Sequence, residues 1–194
     1  MPHWRTPRRL AGALALGLAL SGCAGGPAGQ VDIPIPPRAA AGPYSPAANV
    51  ISGAAEAFAS PARLAGHPAE AAIAVARLEW LAESVPRNLE FTNYSPITGP
   101  ALQAARFEVR GAVGIAPDAP AAVVVPALDR AADALLRGDA AGAEAALPAP
   151  VFAPGTVARL ATLPRLPQAN AATRRAQRDL EFGRDEWDIS ALQR

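Results

Sequence analysis

Lysine is absent from this 194-residue chain, cysteine occurs once and histidine twice, and aromatic residues make up 5 %. Each scarcity excludes something. One cysteine cannot form an intrachain disulfide, so the fold has to rest on its core. Of the two histidines, His3 lies at the extreme N-terminus and His67 stands alone. A metal site built from several His or Cys ligands within one chain is therefore excluded. No calcium-loop spacing, Gly-x-Ser-x-Gly motif, phosphate-cradling glycine loop or haem-attachment motif occurs, and no cofactor is expected. The 18 basic and 17 acidic residues give a net charge of +1, without the basic patch that nucleic-acid binding requires. The longest N-terminal apolar run, residues 10–20, is about 11 residues, and at ~1.5 Å per residue it covers only about half of a ~30 Å bilayer core. Alternating β-branched runs are missing too. Val123-Val124-Val125 is the best strand candidate, and it stops at Pro126.

What is present begins at the N-terminus. Arg5, Arg8 and Arg9 form a positive segment without an acid, residues 10–20 follow as an apolar run, and Leu20-Ser21-Gly22-Cys23 closes it around the single cysteine. This arrangement fits the charged and hydrophobic regions of an export signal. It resembles a bacterial lipoprotein signal with its lipobox, and the resemblance covers residues 1–23 only. It implies that Leu20, Ser21 and Gly22 are read by the signal peptidase, that the Cys23 thiol receives a diacylglycerol, and that Cys23 becomes the mature N-terminus. Acyl chains on Cys23 would hold the protein on a membrane, each buried CH₂ adding ~0.8 kcal/mol. Ala24 follows where an aspartate would favour the inner membrane in enteric-type lipoproteins, so the resemblance implies the outer membrane, facing the periplasm. Arg8-Arg9 leaves twin-arginine export open beside the general route. Removing three arginines and no acid leaves 15 basic residues against 17 acidic ones, a net charge of −2.

Three regions follow: a lipoprotein signal over 1–22, a lipidated N-terminus and flexible tether over 23–46, and a helical domain over 47–194. The tether is rich in Pro, Gly and Ala, with Ile33-Pro34-Ile35-Pro36-Pro37 at its centre. Such a composition buries little and favours a semi-rigid, polyproline-like spacer. The domain is expected to be all-α, a small helical bundle behind that tether. Helices are predicted over 46–59, 68–85, 100–115, 118–138, 139–147, 155–163 and 168–192. Proline at first helical positions, Ser45 and Asp139 as N-caps and Gly138 as a stop set their bounds. Pro126 is expected to kink or restart its helix. On the 68–85 helix the apolar face holds Ile73, Leu78, Leu81 and Val85, with Glu79 and Glu83 opposite and read as solvated. Arg77 falls on the apolar side, where it either snorkels to the edge or forms a buried ion pair. Arg175–Asp179 and Arg184–Asp188 are spaced i, i+4 on a final helix read as solvated and self-paired. Phe182, Trp187, Ile189 and Leu192 are expected to dock it.

Residues 86–99 are the hardest to dismiss functionally. The alanine background disappears, and polar and aromatic residues interleave from Arg87 to Pro96. A long irregular segment in a small domain is usually functional or disordered, and Phe91 and Tyr94 argue against disorder. Either the two rings plug the end of the bundle, or the segment is a recognition surface in which Arg87, Asn88, Phe91, Asn93 and Tyr94 meet a partner. The function expected is a non-enzymatic interaction or accessory lipoprotein whose partner is an envelope protein or the cell wall. Two alternatives stand beside it. One is a glycan hydrolase using a carboxylate pair drawn from Glu79, Glu83, Glu90 and Glu108. The other is a carrier of a small apolar ligand between helices.

Overall fold

The computed structural model describes Met1 and residues 33–183. Leu20–Cys23 and the Arg184–Asp188, Trp187, Ile189 and Leu192 expectations lie outside the described residues. The fold is all-α. Among the described residues eight α-helices follow in order: α1 (Pro37–Ala40), α2 (Pro46–Ala59), α3 (Pro68–Ser84), α4 (Thr98–Val113), α5 (Ala121–Leu136), α6 (Ala140–Ala146), α7 (Thr156–Ala161) and α8 (Pro167–Phe182). No strand occurs among the described residues; Ile115 and Phe152 make one isolated antiparallel bridge. Val123–Val125 is helical, and α5 runs through Pro126 without a restart.

Local chemistry sets the helix bounds. The Ser45 side chain accepts from the Ala48 amide and Asp139 accepts from Gly142 at 2.8 Å, so both are N-caps. Gly138 adopts the left-handed φ of +76° that ends the preceding run. The α8 N-terminus has no side-chain cap of its own. Glu108, on α4, supplies one by accepting from the Ala169 amide at 2.9 Å.

Helices α2, α3, α4 and α8 close a ring in which each packs against its two neighbours, and α5 covers α3 from outside, with α6 folded back on α5. Helix α3 is thus surrounded, and 12 of its 17 residues are buried. A helix enclosed on several sides loses its solvent face, which explains why Glu79, read as solvated, is buried. Leu78, Leu81, Leu102, Leu128 and Leu160 are fully buried around it, each such side chain contributing about 1.5–3 kcal/mol.

The tether expected over 23–46 needs a correction: residues 33–41 pack on the bundle. Ile33 and Ala39 belong to the core. The Trp80 indole N–H donates to the Ile33 carbonyl at 2.9 Å, and Arg77 Nε donates to the Ala39 carbonyl at 3.0 Å. Arg38 is ion-paired with Asp133 on α5. Buried Asn49 fastens the next turn, accepting from the Tyr44 amide and donating to the Ala40 and Tyr44 carbonyls, all within 3.0 Å. Proline removes donors but not the apolar side chains between prolines, so a segment too poor in hydrogen bonds to fold alone can dock on a finished core.

Candidate functional site

Residues 85–100 connect α3 to α4. The chain leaves α3 at Val85, makes a 3₁₀ turn over Leu89–Phe91 and re-enters helix at Thr98. Asn88 starts the turn, its side chain accepting from the Glu90 amide at 2.9 Å. Phe91 and Tyr94 are buried. The Phe91 ring stands edge-on to Trp80 with centroids 6.1 Å apart and to Tyr94 at 5.1 Å, arrangements aromatic pairs favour. Gly99 lies where an added Cβ would come within 3.3 Å of Pro86, so the two ends of the loop close against each other.

A second clamp comes from α8. Asp179 is buried and accepts from the Thr98 hydroxyl and, at 3.3 Å, from the Ser95 amide. The expected solvated Arg175–Asp179 pair is therefore corrected: Asp179 faces inward and ties α8 to the loop. Burial, with Asp179 and Glu90 nearby, pushes the Tyr94 hydroxyl well above the usual phenol range. Tyr94 is neutral at any physiological pH. Phe182, expected to dock α8, is exposed.

The loop encloses a surface cleft of about 440 Å³. Its floor is Val85, Phe91 and Tyr94, and its rim includes Arg87, Asn88, Thr92 and Ser95. Leu89 is 75 % exposed beside it, and Asn93 and Ile97 are exposed as well. The five residues named from sequence thus divide. Phe91 and Tyr94 form the plug, and Arg87, Asn88 and Asn93 remain at or near the surface. The chain matches no family model, no curated protein and no solved structure. A functional reading therefore rests on this geometry and on the resemblance of residues 1–23 to a lipoprotein signal.

Between α3 and α4 runs a ladder of charges that the sequence reading missed. Arg110 holds Glu79 with two bonds of 2.7 Å, Nε to Oε1 and Nη2 to Oε2. Its Nη1 donates to the Ala116 and Pro117 carbonyls at 3.2 and 2.8 Å. Arg106 Nε lies 2.9 Å from Glu79 Oε2, and its Nη1 donates to Glu83 at 3.0 Å. Glu83 also pairs with Arg87 on the loop. Burial lowers the Arg106 pKa, and Glu79 partly offsets this. A spacing signal was present: Glu79 and Glu83 are four apart on α3, and Arg106 and Arg110 four apart on α4. Of the carboxylates weighed for glycan chemistry, Glu79 and Glu83 are bound to arginines and Glu108 caps α8, whereas Glu90 is exposed in the loop. His67 sits exposed before α3 without a capping bond. Among the described residues no group of three or more His, Cys, Asp or Glu could hold a metal ion.

Proposed function

We propose that this protein is a lipid-anchored lipoprotein of the cell envelope, held to the outer membrane through Cys23 and facing the periplasm. In this reading its helical domain is a non-enzymatic docking module. The observation that carries the docking role is the cleft of residues 85–100, whose polar rim is presented by a braced loop. The brace has two parts, the Trp80–Phe91–Tyr94 rings and the Asp179 carboxylate. Binding to a surface held in one shape costs less ordering entropy than binding to a loose loop. Arg87, Asn88 and Asn93 supply hydrogen-bonding groups and Leu89 an apolar contact, a mixture suited to a protein or cell-wall partner.

Crosslinking in cells tests both halves of the reading. Tagged wild type and Cys23→Ala are compared for membrane association and for what each crosslinks. The expected result is membrane-bound wild type with a defined envelope partner, and a soluble variant that loses it. Retention of Cys23→Ala on the membrane overturns the lipid-anchor reading. A wild type that is anchored but captures neither an envelope protein nor cell-wall material overturns the docking reading.

A further inference from the structure

The end of α8 lies beside the cleft of residues 85–100. Asp179 accepts from the Thr98 hydroxyl and, at 3.3 Å, from the Ser95 amide, and Ser95 is on the cleft rim. The Gly183 amide still donates to the Asp179 carbonyl at 2.9 Å. Helical geometry therefore holds to Gly183, four residues and about 6 Å further along the axis. Gly183 then takes φ +68° and ψ −171°, a backbone that favours glycine, and the chain leaves the α8 axis there. Residues 184–194 thus set out about one helix turn from the Asp179 clamp.

Apolar surface is left uncovered around this point. Phe182 follows Asp179 by three residues and shares its face of α8, yet it is 52 % exposed. Ile97, next to Thr98, and Leu89, on the cleft rim, are exposed as well. The cleft of about 440 Å³ is in the size range that takes a drug-sized molecule, so it admits an indole. Residues 184–194 carry three large apolar side chains, Trp187, Ile189 and Leu192. Trp187 is four residues beyond Gly183, a reach of about 14 Å when extended, and Leu192 is nine residues beyond it, about 30 Å. Asp185, Glu186 and Asp188 flank Trp187, and Arg87 is the half-exposed cation on the rim. Glu90 is exposed in the same loop with the opposite sign, so apolar burial rather than charge has to carry a contact here. A segment joined to its site by a few residues meets it at an effective concentration of about millimolar. Even a modest apolar contact is then populated.

We propose that residues 184–194 fold back into this cleft, with Trp187 on the Phe91–Tyr94 floor and the neighbouring apolar side chains against Leu89, Ile97 and Phe182. The cleft is then occupied by its own chain, and a partner has to displace that segment. The displacement rests on the docking role proposed above; the self-occupancy does not. Paired cysteines on the full-length Cys23→Ala chain, which has no other cysteine, test the self-occupancy. Leu89→Cys on the rim and Asp188→Cys beside Trp187 are joined by a short bis-maleimide, which tolerates more spacing than the ~7 Å between Cα atoms that a disulfide allows. The expected result is a crosslink within one chain, read by peptide mass after proteolysis. Adding Trp187→Ala and Ile189→Ala is expected to slow it about tenfold or more, the effect of losing one well-buried side chain. Absence of the crosslink, a link between two chains in its place, or a rate indifferent to the alanine substitutions overturns the proposal. Crosslinking in cells reads the competition: Trp187→Ala/Ile189→Ala with native Cys23 is expected to capture several-fold more partner than wild type. If the intrachain crosslink forms and capture does not rise, the displacement step is overturned. If it forms and neither chain captures a partner, the docking role fails and the self-occupancy stands.

Discussion

Glu79 and Arg110 are 1 % and 3 % exposed, so each is the main compensation for the other's loss of water. Removing one partner of such a pair strands a buried charge, typically at a cost of about 3–5 kcal/mol, whereas replacing both with apolar groups can be close to neutral. Glu79→Leu and Arg110→Leu alone are therefore expected to lower the denaturant midpoint strongly. The double variant is expected to recover part of the loss, because Arg106 also loses Glu79 and keeps only Glu83. A fully additive double-mutant cycle, read by chemical denaturation, would refute the coupling. The same pair shows where sequence reading stops. A helical wheel ranks positions by the polarity of one helix, and on that scale Glu79 belongs to solvent. Only the packing of α4 against that face turns it inward, and Asp179 was misread for the same reason. Their partners are set by tertiary contacts between positions 31 and 81 residues apart.

The helices themselves were legible because their ends are marked locally. Proline at first turns, Ser45 and Asp139 at caps and Gly138 at a stop are short-range signals, and the structure places α2 to α8 within a few residues of them. The segment before α2 carries only one such signal, Pro37 at the start of α1. Its prolines announce an open spacer, and α1 is only four residues long. It is held by contacts made by others, Trp80 and Arg77 above all. Trp80→Phe keeps a ring beside Phe91 and removes the donor to the Ile33 carbonyl. A hydrogen bond of about 1 kcal/mol corresponds to roughly a fivefold change in a local opening equilibrium. Hydrogen exchange at the Ala40 amide, bonded to the Pro36 carbonyl, is expected to speed up by about that factor while amides around Leu128 keep their protection. Equal acceleration at both would mean that the segment opens only with the whole domain.

For the molecule as a whole, the loop of residues 85–100 would join stability to the recognition proposed for it, and the two can be separated. The loop was recognisable from its break in composition, but the division of labour inside it was not, because Phe91 and Asn93 are equally plausible contacts until burial is known. Phe91→Ala opens a cavity beside Trp80 and is expected to cost about 3–5 kcal/mol. Arg87→Ala and Asn93→Ala are expected to shift stability by about 0.5 kcal/mol or less, yet to reduce partner crosslinking. Thermal melting run beside the crosslinking assay checks both. If the surface variants melt early, the rim is structural, and if they crosslink normally, the partner sits elsewhere.

The docking of residues 33–41 has a mechanical consequence. Cys23 and Ile33 are ten residues apart, so a lipid on Cys23 would keep the Ile33 end of the body within about 35 Å of the bilayer even at full stretch. Tension drawn through that leash would not load the bundle as a unit. It would reach Ile33 on Trp80 first, then Arg38 on Asp133 and Ala39 on Arg77, and finally the Asn49 turn. The body would thus be peeled rather than sheared from its fastening. Freeing residues 33–45 would add about 45 Å of line at roughly 3.4 Å per residue. The seam on α3 would then act as a strain relief, letting out slack between membrane and partner before either attachment is broken.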